Sequence, residues 1–233
     1  MADFAALQNT LGVTFKNVSL LEQSLIHRSY LNETSAELSS NERLEFLGDA
    51  LIGLVVAEDL YRRFPELQEG NLTKLRAAVV CRDSLAEVAR SLDLGNYLYL
   101  GRGEEQGDGR KRERNLACAF EALIGAVLLD NGYEVTRDLV LKSLAKLIEQ
   151  AVEQLNEMDY KSNLQEIVQA QHQLTPKYRV VNMTGPDHEK EFTVEVVAGD
   201  RVIGLGLGKS KQQAEKDAAR VALEILNNED SAV

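Results

Sequence analysis

Asn41-Glu42-Arg43-Leu44-Glu45-Phe46-Leu47-Gly48-Asp49 sets three carboxylates at i, i+3 and i+7 inside an otherwise apolar segment. On a helix, steps of three and four residues return to one face, so Glu42, Glu45 and Asp49 are expected to form an acidic ridge. Leu44, Phe46, Leu47, Ala50 and Leu51 surround that ridge with groups expected to be buried. Partly buried like charges repel, and a fold tolerates them with a cation, usually a metal, or with raised pKa values. The competing reading is an ordinary solvated helix face, where charged residues normally sit.

Outward from the ridge, residues 1–155 read as mostly helical. Ser39, Ser40 or Asn41 can cap the ridge helix, which continues through Leu51–Phe64 and stops before Pro65. Upstream, Leu20, Leu21, Leu25 and Ile26 give an amphipathic segment ahead of His27-Arg28-Ser29-Tyr30. Downstream, Glu69-Gly70 reads as a break, and helical periodicity resumes over Leu72–Leu92 with Asn71 or Thr73 as cap. Gly101–Arg114, with four glycines and many charges, reads as a mobile surface loop. Asn115–Leu129 is a strongly apolar helix interrupted by one carboxylate, Glu121, and residues 137–155 give a further helix.

The pattern changes near Glu157–Lys161. Residues 162–171 read as a short helix, and Tyr178–Asn182, Glu191–Val197 and Arg201–Leu207 as strands. Lys209–Leu226 closes the chain as an alanine-rich helix. The expected architecture is an all-α domain over 1–155, a linker at 156–160, a small α+β domain of order αβββα over 161–228, and a polar tail at 229–233.

Composition narrows the classes. The 233 residues are 44% apolar, enough for a real core, and hold no run long enough to span a membrane. No basic segment followed by an apolar run marks a signal peptide. Cys81 and Cys118 show no metal-site spacing, so reduced thiols in a cytoplasmic protein are expected. A formal net charge of −11 argues against indiscriminate nucleic-acid binding by bulk attraction. Local basic patches, and divalent cations on the acidic ridge, remain compatible with it.

The chain resembles the bacterial ribonuclease III family over nearly its whole length. The run Asn41–Asp49 is similar to that family's signature helix. His27-Arg28-Ser29-Tyr30, Glu69-Gly70 with Leu72–Ala77, and Ala119-Phe120-Glu121-Ala122-Leu123 match in order and spacing. Residues 159–227 resemble a double-stranded-RNA-binding domain, with Gly185-Pro186-Asp187-His188 in a strand loop and Lys209-Ser210-Lys211 opening the last helix. The resemblance implies a homodimeric, Mg²⁺-dependent endoribonuclease that hydrolyses double-stranded RNA to 5′-phosphate products. It also implies ribosomal RNA precursors and structured messenger RNAs as substrates.

The implied site follows by position in the motifs. Glu45, Asp49, Glu121 and the residue at 118 face the metal, with Asp49 and Glu121 the catalytic pair and Glu42 and Glu69 in support. Chemistry agrees, since attack on an anionic phosphodiester adds charge that a metal ion neutralises, and Mg²⁺ prefers oxygen ligands. Position 118 departs from the family, which carries aspartate where this chain has Cys118 in Ala117-Cys118-Ala119-Phe120-Glu121. At i and i+3, Cys118 and Glu121 still share a helix face, yet a thiol is a poor ligand for hard Mg²⁺. Three readings stay open: an active nuclease completed by water, an attenuated one that accepts the softer Mn²⁺, or a duplex-RNA-binding protein with little cleavage.

Duplex RNA is read mainly by shape, through 2′-hydroxyls of two minor grooves and the phosphates between them. Gln165, Glu166 and Gln169 are expected at one groove, His188 at the next, and Lys209, Lys211 and Lys216 on phosphates at the last helix start. Residues 159–233 hold nine Lys and Arg against twelve Asp and Glu, so this domain is acidic overall. A helical scaffold with an incidental acidic ridge is the more distant rival.

Overall fold

The computed structural model describes residues 3–34, 37–186 and 190–230. The chain divides into two compact units, Met1–Ala151 and Val152–Val233.

The first unit is helical. Its elements are α1 (Phe4–Leu11), α2 (Val18–Ser24), a 3-10 turn (Arg28–Asn32), α3 (Glu42–Arg63), α4 (Glu69–Val79), α5 (Arg82–Ser91), a second 3-10 turn (Leu94–Tyr97), α6 (Arg102–Gln106), α7 (Glu113–Asn131) and the beginning of α8 (Tyr133–His172). The core is built around α7, whose Leu116, Phe120, Leu123 and Ile124 are almost fully enclosed. A helix apolar on nearly every side must be wrapped by others, and α2, α3 and α5 do so. Leu21, Ile52, Val56, Leu85 and Ala89 supply their facing side chains to this core.

The crossing of α3 and α7 is unusually close. A methyl built on Gly48 would overlap the backbone carbonyl of Glu121, and one on Gly125 would overlap that of Leu44. Only glycine at both positions lets the two backbones meet in this way.

Several local expectations change. Glu69-Gly70 opens α4 rather than breaking the chain, and Leu72–Leu92 is divided between α4 and α5 by Val80 and Cys81. Asn41 stands at the N-cap of α3 without a side-chain capping bond, and its Nδ2 instead donates to the Ser24 carbonyl at 3.3 Å. The backbone is helical through 156–160, where a linker is expected, so two anticipated helices are one 40-residue element. That stretch contains neither proline nor glycine, and nothing in it stops a helix.

In the second unit, β1 (Lys177–Thr184), β2 (Glu191–Ala198) and β3 (Arg201–Gly208) form an antiparallel sheet in that order, followed by α9 (Lys211–Asp230). Val194, Val196 and Ala198 alternate inward on β2, and Ala214, Ala218 and Ala222 of α9 lie in the same core. Gly204, Gly206 and Gly208 occur at every second position of β3, where added methyls would strike α9. Small residues on both sides therefore seat α9 directly on the sheet.

Candidate active site

The α3–α7 crossing creates the site. Gly48 immediately precedes Asp49 and follows Glu45 by three residues, while Gly125 stands one turn beyond Glu121. Where the backbones touch, the acids of one helix are carried against those of the other. Glu45, Cys118 and Glu121 each offer a ligand atom, all within 4.8 Å of one another, a spacing that could hold a metal ion. These groups line an open cleft of about 820 Å³ together with Glu42 and Asp49.

The ridge therefore shares one face, as its spacing predicts, but it is shallower than its apolar neighbours suggest. Glu42 and Asp49 are exposed and Glu45 is half-buried. Leu44 and Leu51 are buried, whereas Phe46 is 78% exposed and Ala50 is exposed too. A 22-residue helix offers the core only part of its circumference, and these two positions point elsewhere. Glu42 accepts a 3.0 Å bond from Ser40 and pairs with Arg28 at 3.5 Å. Glu69 is the first residue of α4, accepts from the Thr73 hydroxyl at 3.0 Å, and is not among the cleft's lining residues.

Charge is least comfortable at Glu121. Burial, then the carboxylates of Asp49 and Glu45, push its pKa from the ordinary 4.5 up to about 7. Cys118 goes the same way: burial, a hydrogen bond to Glu45, and the charges of Glu45 and Glu121 push its thiol up to about 12. Three crowded acids with one carboxylate half-protonated near neutrality suit a divalent cation, whose charge would relieve their repulsion. The donor set fits a hard cation at Glu45, Asp49 and Glu121 and fits it poorly at Cys118, a neutral sulfur.

The opposite wall comes from the glycine-rich segment expected to be mobile, and it is tied down by polar contacts. Ser29 Oγ accepts from the Gly101 amide at 2.9 Å, and Glu33 accepts from the Arg102 amide at 2.6 Å. Arg110 donates to the carbonyls of Gly95 and Leu98, both at 2.9 Å. Asn115, buried at the head of α7, donates to Glu104 at 2.8 Å and to the Gly109 carbonyl at 3.0 Å. Glu104 also pairs with Arg112. Glycine content signals loop geometry, but it says nothing about where the loop's polar groups find partners.

His27 also lines the cleft and was not among the expected site residues. Its Nδ1 accepts from the Ser29 amide at 3.3 Å and lies 2.8 Å from Ser29 Oγ. Burial holds the imidazole below its ordinary 6.5, against the pull of Glu104. With Nδ1 engaged as an acceptor, the neutral ring carries its proton on Nε2. The His27-Arg28-Ser29 order was the available signal, since a His two residues before a Ser can cap the turn that follows.

In the second unit, Gln165, Glu166 and Gln169 are exposed on α8, with Gln165 and Gln169 one turn apart. Lys209 and Lys211 are exposed at the entrance of α9, where Ser210 Oγ caps the Gln213 amide at 3.2 Å. Lys211 also pairs with Glu215 at 3.8 Å, and Lys216 is half-buried. His188 lies outside the described residues.

Comparison with known proteins agrees with both units. Residues 17–148 match the family described as Ribonuclease-III-like, and residues 160–226 match the double-stranded RNA binding motif. A protein of Dehalococcoides mccartyi (strain CBDB1) named Ribonuclease 3 is 49% identical over 229 residues, covering 98% of this chain and 97% of the relative. Ribonuclease 3 of Borreliella burgdorferi (strain B31) is 43% identical over 218 residues, covering 94% and 89%. Among solved structures, the nuclease domain of ribonuclease III from Campylobacter jejuni is 39% identical with a TM-score of 0.58, covering 62% of this chain and 97% of that one.

Proposed function

The chain belongs to the ribonuclease III family, and we infer that it is an endoribonuclease specific for double-stranded RNA whose chemistry takes place in the α3–α7 cleft. The observation that carries the assignment of the site is the convergence of Glu45, Cys118 and Glu121 within 4.8 Å, beside Asp49. Glu45, Asp49 and Glu121 would hold Mg²⁺, with Mn²⁺ as a substitute, and Asp49 and Glu121 are the indispensable pair. When bound, the ion neutralises charge on the phosphodiester and makes water a better nucleophile. Glu42 orders the cleft mouth through Ser40 and Arg28. The His27 Nε2–H offers a hydrogen-bond donor to an incoming oxyanion. The proposed products carry 5′-phosphates, and the proposed substrates are ribosomal RNA precursors and structured messenger RNAs.

In the second unit, Gln165, Glu166 and Gln169 would read a minor groove, His188 the next, and Lys209, Lys211 and Lys216 the phosphates between them. A homodimer is part of the same reading. Phe46, Leu54 and Tyr61 are 78%, 57% and 73% exposed and fall on one side of α3. The Campylobacter jejuni nuclease domain is described as having a region involved in dimer formation. No described helix is long and apolar enough to cross a membrane, and a cytoplasmic place is proposed. A duplex-RNA binder without cleavage is not favoured, because Glu45, Asp49 and Glu121 are all present and the relatives bear the name of the nuclease. Incubating the protein with a long RNA duplex plus Mg²⁺, plus Mn²⁺ or plus chelator tests the function directly. Short products that require the metal are expected; a gel shift without products would sink it.

Cys118 should limit affinity for Mg²⁺. Cys118→Asp is expected to raise the cleavage rate at limiting Mg²⁺ about tenfold, equivalent to ~1.4 kcal/mol of metal binding. The gain should shrink in Mn²⁺, which tolerates sulfur better. Equal or lower activity in Mg²⁺ would show that the thiol is not the weak point.

A further inference from the structure

A second cavity, about 310 Å³, opens beside the acidic cluster and is lined by Arg82, Arg114, Ala117, Cys118 and Glu121. Cys118 and Glu121 border both this cavity and the main cleft, so the two are contiguous. Its two arginines differ from the other arginines of the cleft. Arg28 is paired with Glu42 and Arg112 with Glu104, whereas Arg82 and Arg114 have no hydrogen-bond or ion-pair partner among the described residues.

Their positions are unfavourable for stability. Arg82 is the first residue of α5 and Arg114 the second residue of α7. A cation in the first turn of a helix opposes the macrodipole, whose positive end lies there. Neither helix compensates with a side-chain N-cap: Cys81 and Arg112 occupy those positions without a capping bond. Of the nearby acids, Glu113 pairs with Arg90 at 2.8 Å, while Glu121 lines the same cavity and forms an ion pair with neither arginine. Two exposed guanidiniums without a protein partner thus border one cavity beside the proposed metal ligands. An anion entering it would accept hydrogen bonds from both guanidiniums.

We propose that Arg82 and Arg114 form a phosphate subsite that holds a backbone phosphate of the RNA next to the one being cleaved. The planar guanidinium fork matches phosphate oxygens, and the neighbouring Glu121 and Cys118 place the held phosphate beside the reacting one. The subsite rests on the endonuclease reading above and adds a point of substrate binding to it. Holding the flanking phosphate fixes the register of the strand in the cleft, so the effect should fall on both binding and orientation.

The test pairs protein and RNA alterations. Short RNA duplexes are made in which single phosphates around the cleavage point are replaced, one at a time, by neutral methylphosphonates. For the unaltered protein, one flanking replacement is expected to raise KM about tenfold. Arg82→Ala/Arg114→Ala should itself raise KM about tenfold or more, and should no longer respond to that replacement. The same double variant should lower the magnitude of the salt slope of duplex-RNA affinity by about 1 for each phosphate that is no longer neutralised. Arg82→Lys/Arg114→Lys, which keeps the charge, should recover much of the affinity. The thermal midpoint of the alanine variant should be unchanged or higher, since removing these cations relieves the helix starts. Undiminished sensitivity to the methylphosphonate in the alanine variant would overturn the subsite while leaving the nuclease intact. Absence of cleavage by the unaltered protein would overturn the endonuclease reading and the subsite with it.

Discussion

Glu121→Gln is expected to reduce cleavage of duplex RNA by roughly 10³-fold or more while leaving duplex binding by the second unit in place, because it removes a charge from the proposed metal ligands without touching the RNA-binding domain. The same change should stabilise the metal-free protein at high pH. Burial and the charges of Asp49 and Glu45 raise the Glu121 pKa to about 7 in the fold, against an ordinary 4.5. A carboxyl with a raised folded pKa is accommodated while protonated, and stability is lost as pH rises from 4.5 through 7. Glutamine never ionises, so the variant escapes that loss. With chelator, its thermal midpoint should match the unaltered protein near pH 4.5 and exceed it above pH 7. With saturating Mg²⁺ at pH 8 the order should reverse, because only the unaltered protein gains fully from metal binding. Thermal melts at the two pH values, with and without the ion, read all of this. A midpoint for the variant below that of the unaltered protein at pH 8 in chelator would contradict the strained carboxylate. An unchanged order on adding Mg²⁺ would contradict its role as a ligand.

That charge arrangement was legible in the sequence because helical period is a strong constraint. The steps from Glu42 to Glu45 to Asp49, and from Cys118 to Glu121, fix which groups share a face whatever the tertiary structure does. Bringing the two faces together needed Gly48 and Gly125, each of which reads from sequence only as a tolerated helix interruption. Their meaning appears when the carbonyls of Glu121 and Leu44 are found against them. The exposure of Phe46 was not legible, because an apolar residue one step from a core position looks like core until the helix's neighbours are known. The wall built from 101–114 failed for a different reason: its order depends on Arg110, Glu104 and Asn115 reaching carbonyls and amides distant in sequence. The continuous helix over Tyr133–His172 likewise hides the division between units, which falls within it at Ala151 and Val152. Arg82 and Arg114 were invisible in a chain with 26 Lys and Arg, since only the missing partners distinguish them.

The close crossing itself should be the most sensitive point of the first unit. Gly48→Ala adds one methyl, and on helix propensity alone alanine would stabilise α3 by about 1 kcal/mol. The opposing term is larger. The added carbon would overlap the Glu121 backbone carbonyl, and a backbone atom held in the middle of α7 cannot rotate aside as a side chain can. The helices must separate, which opens packing around Phe120 and Ile52 in the core as well as relieving the overlap. Overpacking of this kind costs typically 1–3 kcal/mol, and more where backbone must move, so a net loss of about 3 kcal/mol is expected. For a unit of this size that is a fall of roughly 10 °C in thermal midpoint. Separation also carries Glu45 and Asp49 away from Glu121, so cleavage should fall further than the folded fraction does. Gly70→Ala supplies the contrast, because Gly70 is helical and nothing lies within 4 Å of an added methyl. It should be neutral or stabilising by up to about 1 kcal/mol. Equal behaviour of the two variants would mean that α3 and α7 do not meet at these glycines, and the geometry that unites the acids would have to come from elsewhere.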